Sequence, residues 1–190
     1  MSVDKPDPYQ LPAYLPVPQD DGAAAHLRGR SIPDLGLKGD DGQICNLGEV
    51  CRGKVVLYVY PATGVPGTDP IPDWDAIPGA PGCTVQALSF RQEAERFTAL
   101  GYGVVGLSAQ STAEQAEFKQ RVNLPFLLLS DPLLTLHDQL GLPTFSAHGR
   151  TFFKRMVLVI KAGKVTDLAY PVFPPDNAAH RALEMIGHLG

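Results

Sequence analysis

Two adjoining stretches of the chain show the clearest pattern of apolar and polar positions. Residues 55–61 form a short, continuously apolar run rich in Val and Tyr, which is typical of a buried β-strand. Further on, apolar residues recur at helical spacing among charged and polar ones, at Ala87, Phe90, Ala94 and Phe97. Pro81 and Gly82 are poorly tolerated inside a helix, so this helix is predicted to begin at Cys83.

The rest of the chain alternates predicted strands with predicted helices. Short apolar runs predict strands at residues 104–107, 126–129, 156–160 and 165–169. Helices are predicted between and after them, at residues 111–122 and 133–140 and, following Pro175-Asp176, through Leu189. Ser111 and Glu114 match a capping box at the start of the first of these. This alternation indicates one layered α/β domain without internal repeats.

The N-terminal part of the chain divides into an arm and a hairpin. Residues 1–30 are rich in proline, which predicts an extended arm with a short helical turn at residues 22–27. The arm could pack on its own domain or on a neighbouring subunit, and the sequence leaves both open. From residue 31 the domain is predicted to run to residue 190, and Asp41-Gly42 between apolar runs indicates a hairpin at its start.

Composition narrows the class of protein. The chain has 190 residues, 44% of them hydrophobic and 19% charged, and a formal net charge of −4. There is no basic excess to favour nucleic acid or an anionic membrane, and no apolar run approaches the ~20 residues of a membrane span. No apolar stretch follows a basic one at the N-terminus, so we expect no signal peptide. Three cysteines favour a reducing compartment, and we expect the cytoplasm.

The cysteines differ in their predicted surroundings. Cys83 falls in the first turn of a helix, where unpaired backbone N–H groups and the positive end of the helix dipole favour a thiolate. That is the setting of a reactive thiol. Cys45 and Cys51 are spaced C-x5-C, which fits no zinc or redox motif. The simpler interpretation is that both cysteines are structural. The five histidines show no ligand spacing, and we predict no metal site and no cofactor.

Three segments together resemble the peroxiredoxins, most closely the peroxiredoxin Q, or bacterioferritin comigratory protein, type. The first runs from Tyr60-Pro61 through Pro81-Gly82-Cys83-Thr84 and Gln86 to Phe90-Arg91. The others are residues 124–131 and the stretch from Arg155 to Lys164. The resemblance covers roughly residues 32–190. It implies a thioredoxin fold with an N-terminal hairpin extension and a central mixed sheet flanked by helices.

The resemblance also implies an activity and a set of site residues. The activity is thiol-dependent reduction of hydrogen peroxide or organic hydroperoxides, in which the Cys83 thiolate becomes a sulfenic acid. Arg155 aligns with the active-site arginine of the family, and Gln86 aligns with the residue that orients it. Pro61, Gly82 and Thr84 would support the site. The expected reductant is a thioredoxin-like protein or a low-molecular-weight thiol. The sequence leaves open whether the chain forms a homodimer.

The chain departs from the family between Pro61 and Cys83. The family pattern is Pro-x-x-x-Thr-x-x-Cys, whereas 22 positions separate Pro61 from Cys83 here. We therefore predict an insertion at about residues 62–79, folded as a loop beside the active site with Trp74 as its apolar anchor. Ala80 stands where the family has threonine, so the hydroxyl that binds the peroxide must come from elsewhere. Thr63 and Thr84 are the two candidates.

A second departure concerns recycling of the oxidised cysteine. The position of the usual resolving cysteine, five residues after Cys83, is occupied by Leu88. Cys45 and Cys51 remain as resolving candidates, but their segment precedes the central strand whereas Cys83 follows it, and a six-residue strand spans about 20 Å. We therefore expect a one-cysteine mechanism with an external thiol.

One other class of function is compatible with the sequence. The missing threonine and the long insertion would also suit a redox-inactive, thioredoxin-like binding or sensor module. A thioredoxin-type disulfide reductase is excluded, because the sequence has no Cys-x-x-Cys motif.

Overall fold

A seven-stranded mixed sheet forms the centre of the computed structural model, which describes Asp7 and residues 9–188. The described residues contain nine strands, of which seven form this sheet. They are β1 Gly36–Gly39, β2 Ile44–Asn46, β3 Lys54–Val59, β4 Gly103–Ser108, β5 Leu127–Ser130, β6 Thr144–Ala147, β7 Arg150–Phe153, β8 Met156–Lys161 and β9 Lys164–Ala169. The sheet order is β2-β1-β5-β4-β3-β8-β9. β3, β4 and β5 are parallel, the other pairs are antiparallel, and β6 and β7 form a separate hairpin.

Helices cover both faces of the sheet. They are α1 Leu47–Val50, α2 Cys83–Gln92, α3 Ala94–Ala99, α4 Thr112–Val122, α5 Thr135–Leu140 and α6 Ala178–His188. Residues of α2, α3, α4 and α6 contribute to one apolar core, and residues of α1 and α5 contribute to a second. In the part of the chain that the structure describes, no helix has the length and apolar character needed to cross a membrane.

Strand β3 separates these two cores because its side chains alternate between the faces. Val56 and Tyr58 point into the first core, whereas Val55, Leu57 and Val59 belong to the second. The neighbouring position on β4 is Gly106, where an added Cβ would lie 2.7 Å from the Tyr58 hydroxyl. Glycine therefore gives the buried tyrosine ring its space on the sheet.

Most of the predicted elements are present. The α/β class with a mixed sheet flanked by helices is confirmed, as are the N-terminal hairpin, the start of α2 at Cys83 and the capping box of Ser111 and Glu114. The bounds of two predicted helices need comment. The helical pattern through Phe97 is interrupted at Glu93, which separates α2 from α3. The end of the last predicted helix, Leu189, lies outside the described residues.

The β6–β7 hairpin has no counterpart in the sequence-based predictions. It presents Phe145 and Phe152, whose rings stack at a centroid distance of 5.5 Å. Trp74, in a short 3-10 helix of the segment 62–79, packs on both rings, with centroids 6.0 Å and 5.1 Å away. We term the segment of residues 62–79 the 62–79 loop. Trp74, its predicted apolar anchor, packs on a hairpin that was not predicted from the sequence.

The proline-rich arm packs on its own domain where it is described. Its short helical turn is present as the 3-10 helix Ala25–Leu27, and Leu27 is fully buried in the second core. Asp21 accepts a hydrogen bond from Lys154 at 2.6 Å and one from the Tyr170 hydroxyl at 2.8 Å. These bonds lower the pKa of Asp21 to about 2. Residues 1–6 and 8, including two of the arm's prolines, lie outside the described residues.

Excision of residues 66–78 is expected to leave a protein that folds cooperatively but has altered activity. The removed segment contributes no strand and lies at the cavity described below, so little core packing is lost apart from the Trp74 contacts. Circular dichroism and denaturant unfolding would check this, with Trp74→Ala as the matched point variant. A shortened chain that does not fold would make Trp74 part of the main core.

Candidate active site

The backbone at Gly82 sets the position of Cys83. Gly82 caps α2 with a φ of 96°, a left-handed conformation that favours glycine. A Cβ at this position would collide with Pro175 and lie 2.9 Å from the Leu11 side chain. Glycine is therefore required by conformation and by space, and it directs the chain into α2 with Cys83 as its first residue.

The first turn of α2 presents free hydrogen-bond donors beside the sulfur. The first backbone bond of the helix runs from the Gln86 N–H to the Gly82 carbonyl at 3.0 Å. The N–H groups that precede Gln86 in the helix have no intrahelical acceptor, and they carry the positive end of the helix dipole. This end of the helix suits a thiolate or an oxygen that gains negative charge.

Arg155, which directly precedes β8, places a cation against the same sulfur. Its Nη2 lies 3.3 Å from the Cys83 Sγ and donates to the carbonyls of Ala80 and Pro81 at 3.1 Å and 2.9 Å. Its Nη1 donates to the Gln86 side-chain oxygen. The structure thus brings Cys83, Arg155 and Gln86 together, as the resemblance implies.

The Arg155 guanidinium is buried without a carboxylate. Only 3% of the residue is exposed, and in the described part of the chain no ion pair involves it. An isolated buried charge is costly unless it is paired or hydrogen-bonded. Its acceptors are two carbonyls and one amide, so a Cys83 thiolate would be the countercharge.

The sulfur faces a cavity of about 250 Å³. The side of the cavity nearest the helix is formed by Pro81, Gly82, Cys83 and Thr84. The 62–79 loop supplies most of the remaining lining residues, including Thr63 and Trp74. Cys83 is only 3% exposed, so a reactant reaches the sulfur through this cavity.

Thr63 and Thr84, the two candidate hydroxyl residues, both line this cavity. The Thr63 hydroxyl donates to the Gln110 side-chain oxygen at 3.1 Å, and its backbone N–H donates to the same oxygen at 2.8 Å. The Gln110 amide group returns a bond to the Thr63 carbonyl at 3.2 Å. Pro61 is held nearby, because its carbonyl accepts a bond from the Ser108 hydroxyl at 3.0 Å.

Several cavity residues were not anticipated from the sequence. They are Gln110 and Glu114 after β4, Arg150 on β7, and Asp7, Gln10 and Pro12 of the arm. No local motif distinguishes them, because each reaches the cavity only through the tertiary arrangement. Among the described residues, no group of three or more His, Cys, Asp or Glu side chains could hold a metal ion.

Two buried tyrosines pack in the same core as Cys83. Tyr58 and Tyr60 are fully buried, and their rings stack at 5.5 Å. Burial, reinforced by the negative charge of a Cys83 thiolate, raises the pKa of both phenols well above the ordinary value. Tyr60 donates its hydroxyl hydrogen to Gln115. This part of the site therefore stays neutral and keeps its hydrogens.

The structure does not bring Cys45 or Cys51 to this site. Cys51 is fully buried in the second core, and Cys45 packs against that core from β2, whereas Cys83 belongs to the first. Burial raises the pKa of the Cys51 thiol to about 12. All three cysteines are free. The sheet therefore lies between Cys83 and both resolving candidates.

The chain is similar to known proteins of one family. Residues 27–185 match the Redoxin family. A chloroplastic peroxiredoxin Q of Sedum lineare is 30% identical over 163 residues, which is 85% of this chain and 78% of that protein. Peroxiredoxin Bcp of Bacillus subtilis (strain 168) is 37% identical over 103 residues, 54% of this chain and 56% of that one.

A solved structure also has a similar fold. The crystal structure of peroxidoxin BcpB from Mycobacterium tuberculosis superposes with a TM-score of 0.69 and is 28% identical in sequence. The match covers 86% of this chain and 97% of that one.

Cys83 is expected to be oxidised before the other thiols. Cys51, with a thiol pKa of about 12, stays protonated and buried at pH 7 to 8. After one equivalent of hydrogen peroxide, dimedone followed by peptide mass spectrometry should label Cys83 first. The denatured, reduced chain is the control, in which all three thiols should react. Prior labelling of Cys45 or Cys51 in the native protein would show that the nucleophile lies elsewhere.

Proposed function

The chain belongs to the Redoxin family and is a thiol peroxidase of the peroxiredoxin type, and we propose that Cys83 is the residue that reacts with the peroxide. One observation carries this assignment. The Arg155 Nη2 lies 3.3 Å from the Cys83 Sγ, and Cys83, the first residue of α2, lines a cavity large enough for a small substrate. This contact supports the proposal that Cys83 reduces the peroxide with the help of Arg155.

The proposed reaction is a displacement on the O–O bond. The Cys83 thiolate attacks the terminal oxygen of the hydroperoxide, the O–O bond breaks, and the remaining alkoxide or hydroxide leaves as alcohol or water after taking a proton. Sulfur is oxidised to a sulfenic acid while the peroxide is reduced. Arg155 and the free N–H groups of the first turn of α2 would stabilise the negative charge that spreads over the two oxygens.

The substrate is proposed to be hydrogen peroxide or an organic hydroperoxide. The cavity of about 250 Å³ has room for an organic group, and Ile71 and Trp74 give it an apolar wall. Thr63 and Thr84 are the proposed hydroxyl partners of the peroxide, because both share the cavity with Cys83. Gln86 is proposed to hold Arg155 in position rather than to touch the substrate.

A redox-inactive binding or sensor module is the second candidate. What favours it is Ala80, which has no hydroxyl at the position where the family carries threonine. The buried Arg155, whose missing countercharge a thiolate would supply, favours the peroxidase. Peroxide consumption driven by dithiothreitol, compared between the wild type and Cys83→Ser, separates the two. Equal rates in both proteins would exclude the peroxidase assignment for Cys83.

The oxidised cysteine is proposed to be recycled by an external thiol in a one-cysteine mechanism. Cys45 and Cys51 belong to the core on the opposite face of the sheet. A disulfide requires Cα atoms within about 7 Å, so neither could reach Cys83 of the same subunit without large local unfolding. A thioredoxin-like protein or a low-molecular-weight thiol would then reduce the sulfenic acid directly.

Two further proposals concern the setting of the enzyme. The proposed compartment is the cytoplasm, and the three free thiols support a reducing environment. Assembly as a homodimer is proposed from the exposed apolar side chains of Tyr14 and Val17 on the arm.

Arg155→Ala is expected to slow peroxide reduction at least ~10-fold, because a hydrogen bond to a charged group is worth about 1.5–3 kcal/mol. Arg155→Lys should restore only part of the rate, since an ammonium cannot contact the sulfur and the carbonyls in the same planar geometry. Stopped-flow measurement of the first turnover would check both. Arg181→Ala, which removes an exposed ion pair on α6, is the control. A full-rate Arg155→Ala enzyme would refute the assignment.

The variant Cys45→Ser/Cys51→Ala is expected to retain turnover with an external thiol within about twofold, because neither cysteine takes part in the proposed cycle. Alanine is chosen for Cys51 because a hydroxyl in that core would lack a partner. Turnover should be measured beside non-reducing peptide mapping of the peroxide-treated wild type. A Cys83–Cys45 or Cys83–Cys51 disulfide, with lost turnover in the variant, would establish a two-cysteine mechanism instead.

A further inference from the structure

Two segments outside the sheet cover the cavity that contains Cys83. One is the 62–79 loop, and the other is the arm, whose Asp7, Gln10 and Pro12 line the cavity with it. We refer to these two segments together as the roof. The arm is seated closely, because the Leu11 side chain lies 2.9 Å from the place where a Gly82 Cβ would be.

Arg121 on α4 holds both parts of the roof at once. Its Nη1 donates to the Tyr9 hydroxyl of the arm at 3.3 Å, and its Nη2 donates to the Gly64 carbonyl of the loop at 2.9 Å. Glu117, one turn earlier on the same helix, fixes the guanidinium through a 2.7 Å bond to its Nε. Arg121 itself does not line the cavity.

This cover limits which thiol can reach the oxidised sulfur. A mixed disulfide forms only when the two sulfurs approach to about 2 Å. Cys83 is 3% exposed beneath the roof, and a thioredoxin-sized domain of about 100 residues has a radius of gyration near 13 Å. A protein thiol would therefore have to displace the roof, whereas a small thiol fits the cavity of about 250 Å³.

We infer that the physiological reductant of Cys83 is a low-molecular-weight thiol, admitted under the closed roof, and that the roof excludes protein thiols. This inference rests on the proposed one-cysteine peroxidase. One thiol attacks the sulfenic sulfur, forms a mixed disulfide and releases water. A second thiol attacks that disulfide, restores the Cys83 thiol and leaves as the small-molecule disulfide. The two thiols supply the two electrons that the peroxide has taken.

The lining of the cavity also suits a small polar thiol. Arg150, whose guanidinium lies 5.1 Å from the Phe152 ring centroid, lines the cavity together with the acidic residues Asp7, Asp69, Asp75 and Glu114. A thiol that carries both a carboxylate and an ammonium group, as cysteine and short cysteine peptides do, would find a partner for each charge.

The test compares two reductants on one preformed intermediate. Cys83 is oxidised with one equivalent of peroxide, and the decay of the sulfenic acid is followed with glutathione and with reduced thioredoxin at equal thiol concentration. The wild type should be reduced faster by glutathione. Arg121→Gln, which removes both bonds to the roof, should accelerate reduction by thioredoxin about tenfold and change reduction by glutathione less than about twofold. Arg121→Lys keeps the positive charge but loses the planar guanidinium that makes both bonds. Its rate of reduction by thioredoxin should lie between those of the wild type and Arg121→Gln.

Lys119→Gln is the matched control, because it removes an ion pair to Asp40 from the same helix without touching the roof. It should leave both rates unchanged, and thermal unfolding should show that every variant is folded. Faster reduction of the wild type by thioredoxin, unaffected by Arg121→Gln, would overturn the inference. Sulfenic acid formation is measured first, so its absence in the wild type would instead refute the proposed peroxidase.

Discussion

The buried charge of Arg155 is the constraint on which the site depends. Its guanidinium is held by two carbonyls and the Gln86 amide, and none of these neutralises the charge. The chain after the 62–79 loop must therefore turn so that the carbonyls of Ala80 and Pro81 point towards Arg155. The same turn brings the Cys83 sulfur to this guanidinium. Gly82 makes that turn possible because its backbone adopts a φ of 96°. Arg155 thereby links the end of a loop, the start of a helix and the start of a strand.

The two cores impose a second constraint. Because side chains of β3 alternate between the faces, the sheet forms a wall between the core of Cys83 and that of Cys51. Burial keeps Cys51 protonated, with a pKa of about 12, whereas Cys83 meets a cation and free N–H groups. The same thiol group thus acquires a structural or a reactive character from its surroundings. This separation supports the proposed one-cysteine mechanism, in which an outside thiol reduces the sulfenic acid.

The segments that distinguish this chain lie around the site rather than within it. The 62–79 loop is anchored by Trp74 on the β6–β7 hairpin, and the arm reaches the same cavity from the N-terminal part of the chain. Neither contributes to the central sheet. Both contribute residues to the cavity that contains Cys83, so we propose that they select what reaches the sulfur. Arg121 couples them, since one side chain binds the arm and the loop.

The sequence by itself determined the features that depend on neighbouring residues. The apolar run predicted β3, the Pro-Gly pair predicted the start of α2 at Cys83, and a short spacing predicted the capping box at Ser111, because each rests on interactions within a few residues. From these, with the family resemblance, Cys83 and Arg155 could be named as candidates.

Only the tertiary structure decided how distant segments meet. Arg155 reaches the sulfur across 72 positions of sequence, and the arm reaches the cavity over a similar span. Gln110, Arg121 and Arg150 stand in no local motif, and no sequence pattern predicted the β6–β7 hairpin on which Trp74 packs. Such contacts depend on sheet order and on which face a side chain occupies. Sheet order and the face that each side chain occupies are set by packing of the whole chain, because local periodicity does not specify which elements become neighbours.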